Sequence, residues 1–214
     1  MTSRKYSHIL WDWNGTLLDD AWLCVEVMNS MLAERDLPLI DLDMYRHIFD
    51  FPVKEYYIKL GFDFDREPFE VVGMEFMVLY NQRHHESLLH AEVMSILNHC
   101  QSREYKQYIL SAREQTELIE EVITLGVYPF FEKIYGLDDH YASGKNHIGK
   151  RLLRDIGVSR KKVIFIGDTR HDAEVATELG IQCILIPNGH HHSERFHGYT
   201  FPVLSSISDL ISFI

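Results

Sequence analysis

From residue 91 onward, short apolar runs alternate with segments of helical periodicity, each about ten residues long. The runs at 105–110, 130–135, 162–166 and 182–186 read as buried strands. The segments at 91–99, 115–125, 146–156 and 172–179 read as helices, and glycines at 126, 157 and 180 stand where three of them should stop. A further short strand near 201–204 and a helix from 208 complete the pattern. Strands alternating with helices in this way build βαβ units, so the sheet should be parallel with helices on both faces.

Residues 19–88 break the alternation. Over 21–35, Leu23, Val27 and Met31 share one face, with Val25, Met28 and Leu32 beside it. Asp19 and Asp20 precede this segment, where a carboxylate can cap a helix or favour its positive end. A second helix is expected over 42–49. A third is expected over 52–61, with Pro52 in its first turn and Gly61 at its stop, and a fourth over 67–86, with Phe69, Val72, Phe76 and Leu79 on one side. The expectation is a Rossmann-like parallel-sheet α/β core from residues 1–18 and 89–214, with a four-helix cap domain, 19–88, inserted in it.

A formal net charge of −11 argues against a nucleic-acid or anionic-membrane partner, which needs a basic face. It leaves room for a phosphorylated small molecule, because a site can be locally positive. Cys24, Cys100 and Cys183 lie far apart in apolar surroundings and read as buried free thiols. Arg4 and Lys5 lead almost directly into a strand, so no signal peptide is expected, and runs such as 163–166 are too short to cross a bilayer. The expected protein is cytoplasmic, a monomer or a homodimer.

The first apolar run, His8-Ile9-Leu10-Trp11, ends in Asp12-Trp13-Asn14-Gly15-Thr16-Leu17-Leu18-Asp19. Reactive groups in open α/β sheets collect at the carboxyl ends of strands. A carboxylate at position 12, between bulky apolar residues, would be costly unpaired, and a cation would offset that cost. Ser111 follows the run at 105–110, and Ser111-Ala112-Arg113-Glu114 fits a helix capping box whose free N–H groups could cradle phosphate. Lys145 falls in the first turn of a helix, against the macrodipole, so another interaction should favour it there. Asp168 and Asp172 stand four apart at a strand end and a helix start; Mg²⁺ prefers an oxygen shell with few carboxylates, which Asp12, Asp168 and a backbone carbonyl suit. The run His190-His191-His192, with His197 nearby, reads as a solvated loop, since no acidic pattern in the sequence accompanies it as a zinc site.

The order and spacing of these four features resemble the four motifs of the haloacid dehalogenase superfamily, and the resemblance covers essentially the whole chain. The helical insertion is similar to the cap of the subclass that includes phosphoglycolate phosphatase and β-phosphoglucomutase. The resemblance implies a Mg²⁺-dependent phosphatase that hydrolyses a small phosphorylated metabolite through an aspartyl-phosphate on Asp12. It implies metal ligation by the carboxylates of Asp12 and Asp168 and the backbone carbonyl of Asn14, with Asp172 holding a metal-bound water or orienting Lys145. Lys145 would neutralise the nucleophile and the transferring group, with Lys150 the alternative. Gly15, Thr16, Ser111 and Ala112 would join Lys145 around the phosphoryl group. The family often has Asn where this chain has Ala112, which removes a donor that Arg113 would have to replace. Specificity would come from the cap loop at 49–54, from Phe51 and Lys54 in particular.

Asn14 departs from the pattern. The phosphatases carry there the Asp that protonates the leaving oxygen and activates water, worth about 10²–10⁴ in rate. Three readings follow: a phosphatase slowed at those steps; a C–P or C–halogen hydrolase of phosphonatase or dehalogenase type, with Lys54 or Lys59 as a Schiff-base lysine; or a non-catalytic phosphate-sensing or protein-binding module.

Overall fold

The computed structural model describes residues 5–137 and 144–214; Arg4, on which part of the leader expectation rests, lies outside them. Strand β1 (His8–Trp11) is followed by a two-residue strand β2 (Leu18–Asp19) and four helices: α1 (Ala21–Glu34), α2 (Leu42–Ile48), α3 (Val53–Lys59) and α4 (Phe69–Arg83). Strand β3 (Leu88–Leu89) returns the chain to the sheet. Then come α5 (Val93–Ser102), β4 (Lys106–Glu114), α6 (Gln115–Thr124), β5 (Lys133–Leu137), α7 (Gly144–Ile156), β6 (Val163–Gly167), α8 (Arg170–Leu179), β7 (Gln182–Leu185) and α9 (Leu210–Phe213).

The five long strands form one parallel sheet in the order β5-β4-β1-β6-β7, which places β1 at its centre. Leu10 lies level with Tyr108 on one side and Phe165 on the other. Because strand side chains alternate between faces, Ile9, Trp11, Ile109, Ile164 and Ile184 pack with α5, α6 and α9 residues such as Ile96, Leu118 and Leu210. Leu10, Leu110, Phe165 and Cys183 face the other way, onto Ile148, Leu152, Ala176 and Leu179 of α7 and α8. All three cysteines are buried and free. Among the described residues no helix is long and apolar enough to cross a membrane.

Helices α1 to α4 build a separate core in which Leu23, Val27, Met31, Tyr56, Tyr57, Val72 and Tyr80 meet. The two passages of chain into and out of this helical layer pair with one another, β2 against β3. The layer touches the rest through residues that follow strands: Arg46 of α2 donates to the carbonyls of Gly189 and Asn188 beyond β7, and Asn81 of α4 accepts from Arg113 near the end of β4. It therefore covers the carboxyl edge of the sheet.

Three local expectations are corrected. Strand β4 does not stop at 110 but runs to Glu114, and it is Glu114, not Ser111, whose carboxylate caps α6 by accepting from the N–H groups of Thr116 and Glu117. The guanidinium of Arg113, paired with Glu121 of α6, holds this stretch extended, so Ser111 lies inside a strand rather than at a helix start. The expected strand at 201–204 is reduced to a single bridge between Val203 and Leu185. Asp20 occupies the position before α1 without capping it, because its carboxylate is engaged elsewhere.

Candidate active site

Asp12 leaves the end of the central strand and is buried together with Lys145, Asp168 and Asp172. The Lys145 Nζ, carried in by the first turn of α7, donates to Asp12 at 2.7 Å and to Asp172 at 2.6 Å. That double contact is the interaction that favours a cation at a helix amino terminus. The Asp172 carboxylate also closes a capping box at the start of α8, accepting from the Thr169 N–H and hydroxyl. Burial works against the charge on Asp172, but Lys145 and the Thr169 bonds outweigh it and hold its pKa below the ordinary value.

Asp168 is fixed at both oxygens: Oδ1 accepts from the Thr16 hydroxyl at 2.8 Å and Oδ2 from the His190 N–H at 2.6 Å. One oxygen each from Asp12, Asp168 and Asp172 lie within 4.8 Å of one another. Asp12 and Asp172 share Lys145 and Asp168 has the His190 ring nearby, which itself faces Asp20, so the buried carboxylates are under-neutralised. Burial first, and then Asp172, push the Asp12 carboxyl up to about 8. A divalent cation among hard oxygen donors would remove that penalty, so this donor set fits Mg²⁺. Asp12, Asp168 and Asp172 are the residues that would hold it.

The turn that follows Asp12 is shaped by a second buried carboxylate. Asp20 accepts from the Asn14 side-chain amide at 2.8 Å, from the Gly15 N–H at 2.8 Å and from the Tyr80 hydroxyl of α4 at 2.8 Å. The Asn14 amide also reaches the Tyr80 oxygen at 3.0 Å. Gly15 adopts φ +74, and a Cβ there would collide with the Asp168 carboxylate and lie 2.5 Å from the His190 ring. Gly15 and Thr16, expected around phosphate, thus direct their donors at Asp20 and Asp168.

The histidine run is not a solvated loop. His190 and His191 are buried. The His190 ring shares a hydrogen bond with the Tyr45 hydroxyl of α2 at 2.9 Å and lies 3.4 Å from Asp20. Burial would lower its pKa, but Asp20, Asp168 and Asp12 push it up to about 9. His191 is held by the opposite force: burial, and then Arg195, push it down to about 3, and its neutral ring accepts from the Arg170 N–H. The run folds inward because the segment after β7 is trapped between the carboxyl edge of the sheet and α2.

Ser111 is buried on the neighbouring strand, its oxygen accepting from the Arg113 N–H at 3.1 Å. Arg113 is engaged by Glu121, Glu117 and Asn81 and supports the helical layer. Phe51 stands over His171, with ring centroids 4.7 Å apart, at the rim beside Asp172. Lys54 instead lies over the rings of Phe64 and Phe69 in the helical layer. Sequence reasoning missed Asp20, Tyr80 and His190. Asp20 was hidden by its aptness as a helix cap; His190 carried one signal, its place just beyond a strand's carboxyl end.

Residues 9–186 match the family described as haloacid dehalogenase-like hydrolase. The chain belongs to that family. Among curated relatives of this hydrolase, N-acetylmuramic acid 6-phosphate phosphatase of Pseudomonas putida is 25% identical over 202 residues, covering 87% of this chain and 85% of that protein. Phosphoglycolate phosphatase of Pseudomonas savastanoi pv. phaseolicola is 21% identical, over 86% of this chain and 70% of the relative. The fold is shared with a haloacid dehalogenase-like family protein from Streptococcus pneumoniae, at a TM-score of 0.83, 21% identity and 98% coverage of both chains. A predicted phosphatase from Clostridium acetobutylicum superposes with a TM-score of 0.82 at 17% identity, again over 98% of each chain.

Proposed function

We propose that this hydrolase is a Mg²⁺-dependent phosphatase that cleaves a small phosphoric monoester through an aspartyl-phosphate on Asp12. The observation that carries the reading is Lys145 bridging Asp12 and Asp172 while Asp168 closes the same buried cluster. The names of the relatives point to phosphomonoesters of hydroxy acids or amino sugars as the substrate class.

When bound, Mg²⁺ supplies charge neutralisation for a phosphate dianion approaching a carboxylate. The chain's residues do the rest. One Asp12 oxygen attacks phosphorus as the ester P–O bond breaks, and the leaving oxygen takes up a proton from solvent water. Lys145, dry and fixed by two carboxylates, counters the charge that develops on the equatorial oxygens. Water then attacks phosphorus, the P–O bond to Asp12 breaks, the water's proton passes to solvent, and phosphate and free Asp12 are released. Asn14 gives its N–H groups to Asp20 and Tyr80, which leaves its Oδ1 as an acceptor able to orient that water but not to deprotonate it.

The helical layer, with Tyr45, Phe49 and Tyr80 against the core, acts as the cap that excludes water, and Phe51 contributes to specificity. We place the protein in the cytoplasm, as a monomer or homodimer acting on small metabolites, without nucleic-acid or membrane partners. The test is a screen of phosphomonoesters with and without Mg²⁺, on wild type and Asp12→Ala. Mg²⁺-dependent release of phosphate, abolished by the substitution, is expected. Phosphate release by Asp12→Ala at the wild-type rate would overturn the reading.

A further inference from the structure

The basic charge of this chain is concentrated in one stretch. Between residues 145 and 162 stand seven lysines and arginines and one acid, Asp155, in a chain of 21 cations and 32 acids. Lys145 belongs to the active site. Of the others, Lys150 and Arg154 of α7 and Arg160 of the turn before β6 surround one hollow of about 220 Å³, with Leu153 and Val158 in its wall. Among the described residues no acid lines it, and no carboxylate pairs with Lys150, Arg154 or Arg160. The Asp155 carboxylate is drawn away by Lys133 at 3.0 Å and by the Tyr135 hydroxyl at 2.8 Å.

Helix dipoles account for part of this placement. Arg154 lies in the last turn of α7. Arg160 rests against Gly180 at the stop of α8, where an added Cβ would lie 3.2 Å from its Nη1. The dipoles do not account for Lys150, which stands more than a turn before the end of α7, nor for the convergence of all three. Lys150 and Arg154 are four apart on one face of the helix, a spacing at which like charges repel. Three cations gathered without a counter-charge cost stability, and an anion seated among them would remove that cost.

We propose that Lys150, Arg154 and Arg160 form a site for a compact phosphoanion of the pyrophosphate type, separate from the active site. Guanidinium forks from two different elements match phosphate oxygens, and the lysine adds a point charge. The hollow is smaller than the roughly 300–1,000 Å³ of sites that enclose larger organic ligands, which favours an anion of few atoms. Its lining shares no residue with the buried aspartate cluster. Lys145 and Arg154 are nine residues apart on α7, about 14 Å along its axis, so an ion held here does not meet Asp12.

The test is calorimetric titration with sodium pyrophosphate in EDTA, where no metal can recruit the probe to the aspartate cluster. One equivalent should bind wild type. Arg154 and Arg160 are exposed, so their substitution leaves the core intact. Arg154→Ala and Arg160→Ala should each bind pyrophosphate at least about fivefold more weakly, for loss of a charge-assisted contact. Lys161→Ala, in the same basic stretch but outside the hollow, and Lys145→Met, in the active site, should keep the wild-type affinity within about twofold. Vesicles containing phosphatidic acid should leave the protein in the supernatant, because the hollow admits a free anion and not a membrane surface. Absence of binding to wild type, undiminished affinity in either arginine variant, an equal loss in Lys161→Ala or Lys145→Met, or co-sedimentation with the vesicles would each overturn the proposal.

Discussion

The side-chain amide of Asn14 donates to the carboxylate of Asp20 at 2.8 Å, inside the turn that follows Asp12. The acidic group that family resemblance expects at position 14 is thus absent, while a buried acid stands directly behind it. Two carboxylates at that separation would have to share a proton. Asn14→Asp is therefore expected to lower stability by about 1–3 kcal/mol, the range for a buried group left imperfectly paired. Asp20→Asn in the same chain should recover much of that loss. Urea unfolding of the single and double variants gives the comparison.

The catalytic consequence of Asn14 is separable from its effect on stability. Protonation of the leaving oxygen matters little for aryl phosphates, but hydrolysis of the aspartyl-phosphate needs an activated water whatever the substrate. Wild type should therefore show a burst of aryl product followed by slow turnover. Asn14→Asp should raise steady-state turnover, most of all on alkyl phosphates, by up to the 10²–10⁴ that general acid–base catalysis supplies. Stopped-flow kinetics on the two proteins decide it. No burst in wild type, together with no gain in the variant, would show that another group provides the proton.

Metal removal gives a third expectation. With ligand oxygens of Asp12, Asp168 and Asp172 within 4.8 Å of one another, EDTA should abolish phosphatase activity and Mg²⁺ should restore it, while Asp168→Asn raises the Mg²⁺ concentration needed. Activity followed against free Mg²⁺ measures this. Activity in EDTA equal to that in Mg²⁺ would contradict the metal assignment.

Lys145→Met removes a cation that contacts both Asp12 and Asp172. Loss of a preorganised electrostatic contact of this kind is expected to lower kcat by about 10²–10³. Lys150→Met, on the same helix but outside the cluster, should leave kcat within about twofold. Equal losses in the two variants would show that the effect arises from α7 as a whole.

His191 supplies a pH dependence whose sign is fixed. Its folded-state pKa is about 3, held down by burial and Arg195. Above about pH 6.5 the ring is neutral whether the chain is folded or unfolded, so it contributes no slope there. As pH falls below that, the unfolded chain takes up a proton that the folded chain refuses, and stability drops by about 1.4 kcal/mol per pH unit. His190, pushed up to about 9, stays charged in the folded chain and adds an opposing slope only near pH 6.5, where its unfolded ring is half-protonated, a slope that fades by pH 5 and is common to both proteins compared. Denaturant midpoints of wild type and His191→Asn between pH 6.5 and 5 test this. The variant, which keeps an acceptor for the Arg170 N–H, should have the shallower dependence.

The sequence by itself determined the alternation of strands and helices, because period-2 and period-3.6 apolar patterns are local and β1, β4, β6 and β7 are buried on both faces. It also determined that Asp12, Asp168 and Lys145 sit at strand ends and helix starts, since apolar runs and glycine stops set those boundaries. The tertiary structure decided what each group faces. Ser111 reads as a helix start because its capping box is locally sound. The Arg113–Glu121 pair, eight residues apart, keeps the strand running past it. Asp20 read as a helix cap, and the carboxylate turned inward because Asn14, Gly15 and Tyr80 offered it donors. The histidines at 190–192 read as solvated because histidine is polar and the loop lacks apolar neighbours in sequence. Their burial comes from α2, more than 140 residues earlier in the chain, and the acid beside the His190 ring is Asp20, which precedes α1. Local pattern fixes backbone, whereas the charge state of a buried group depends on neighbours that only packing brings within a few ångströms.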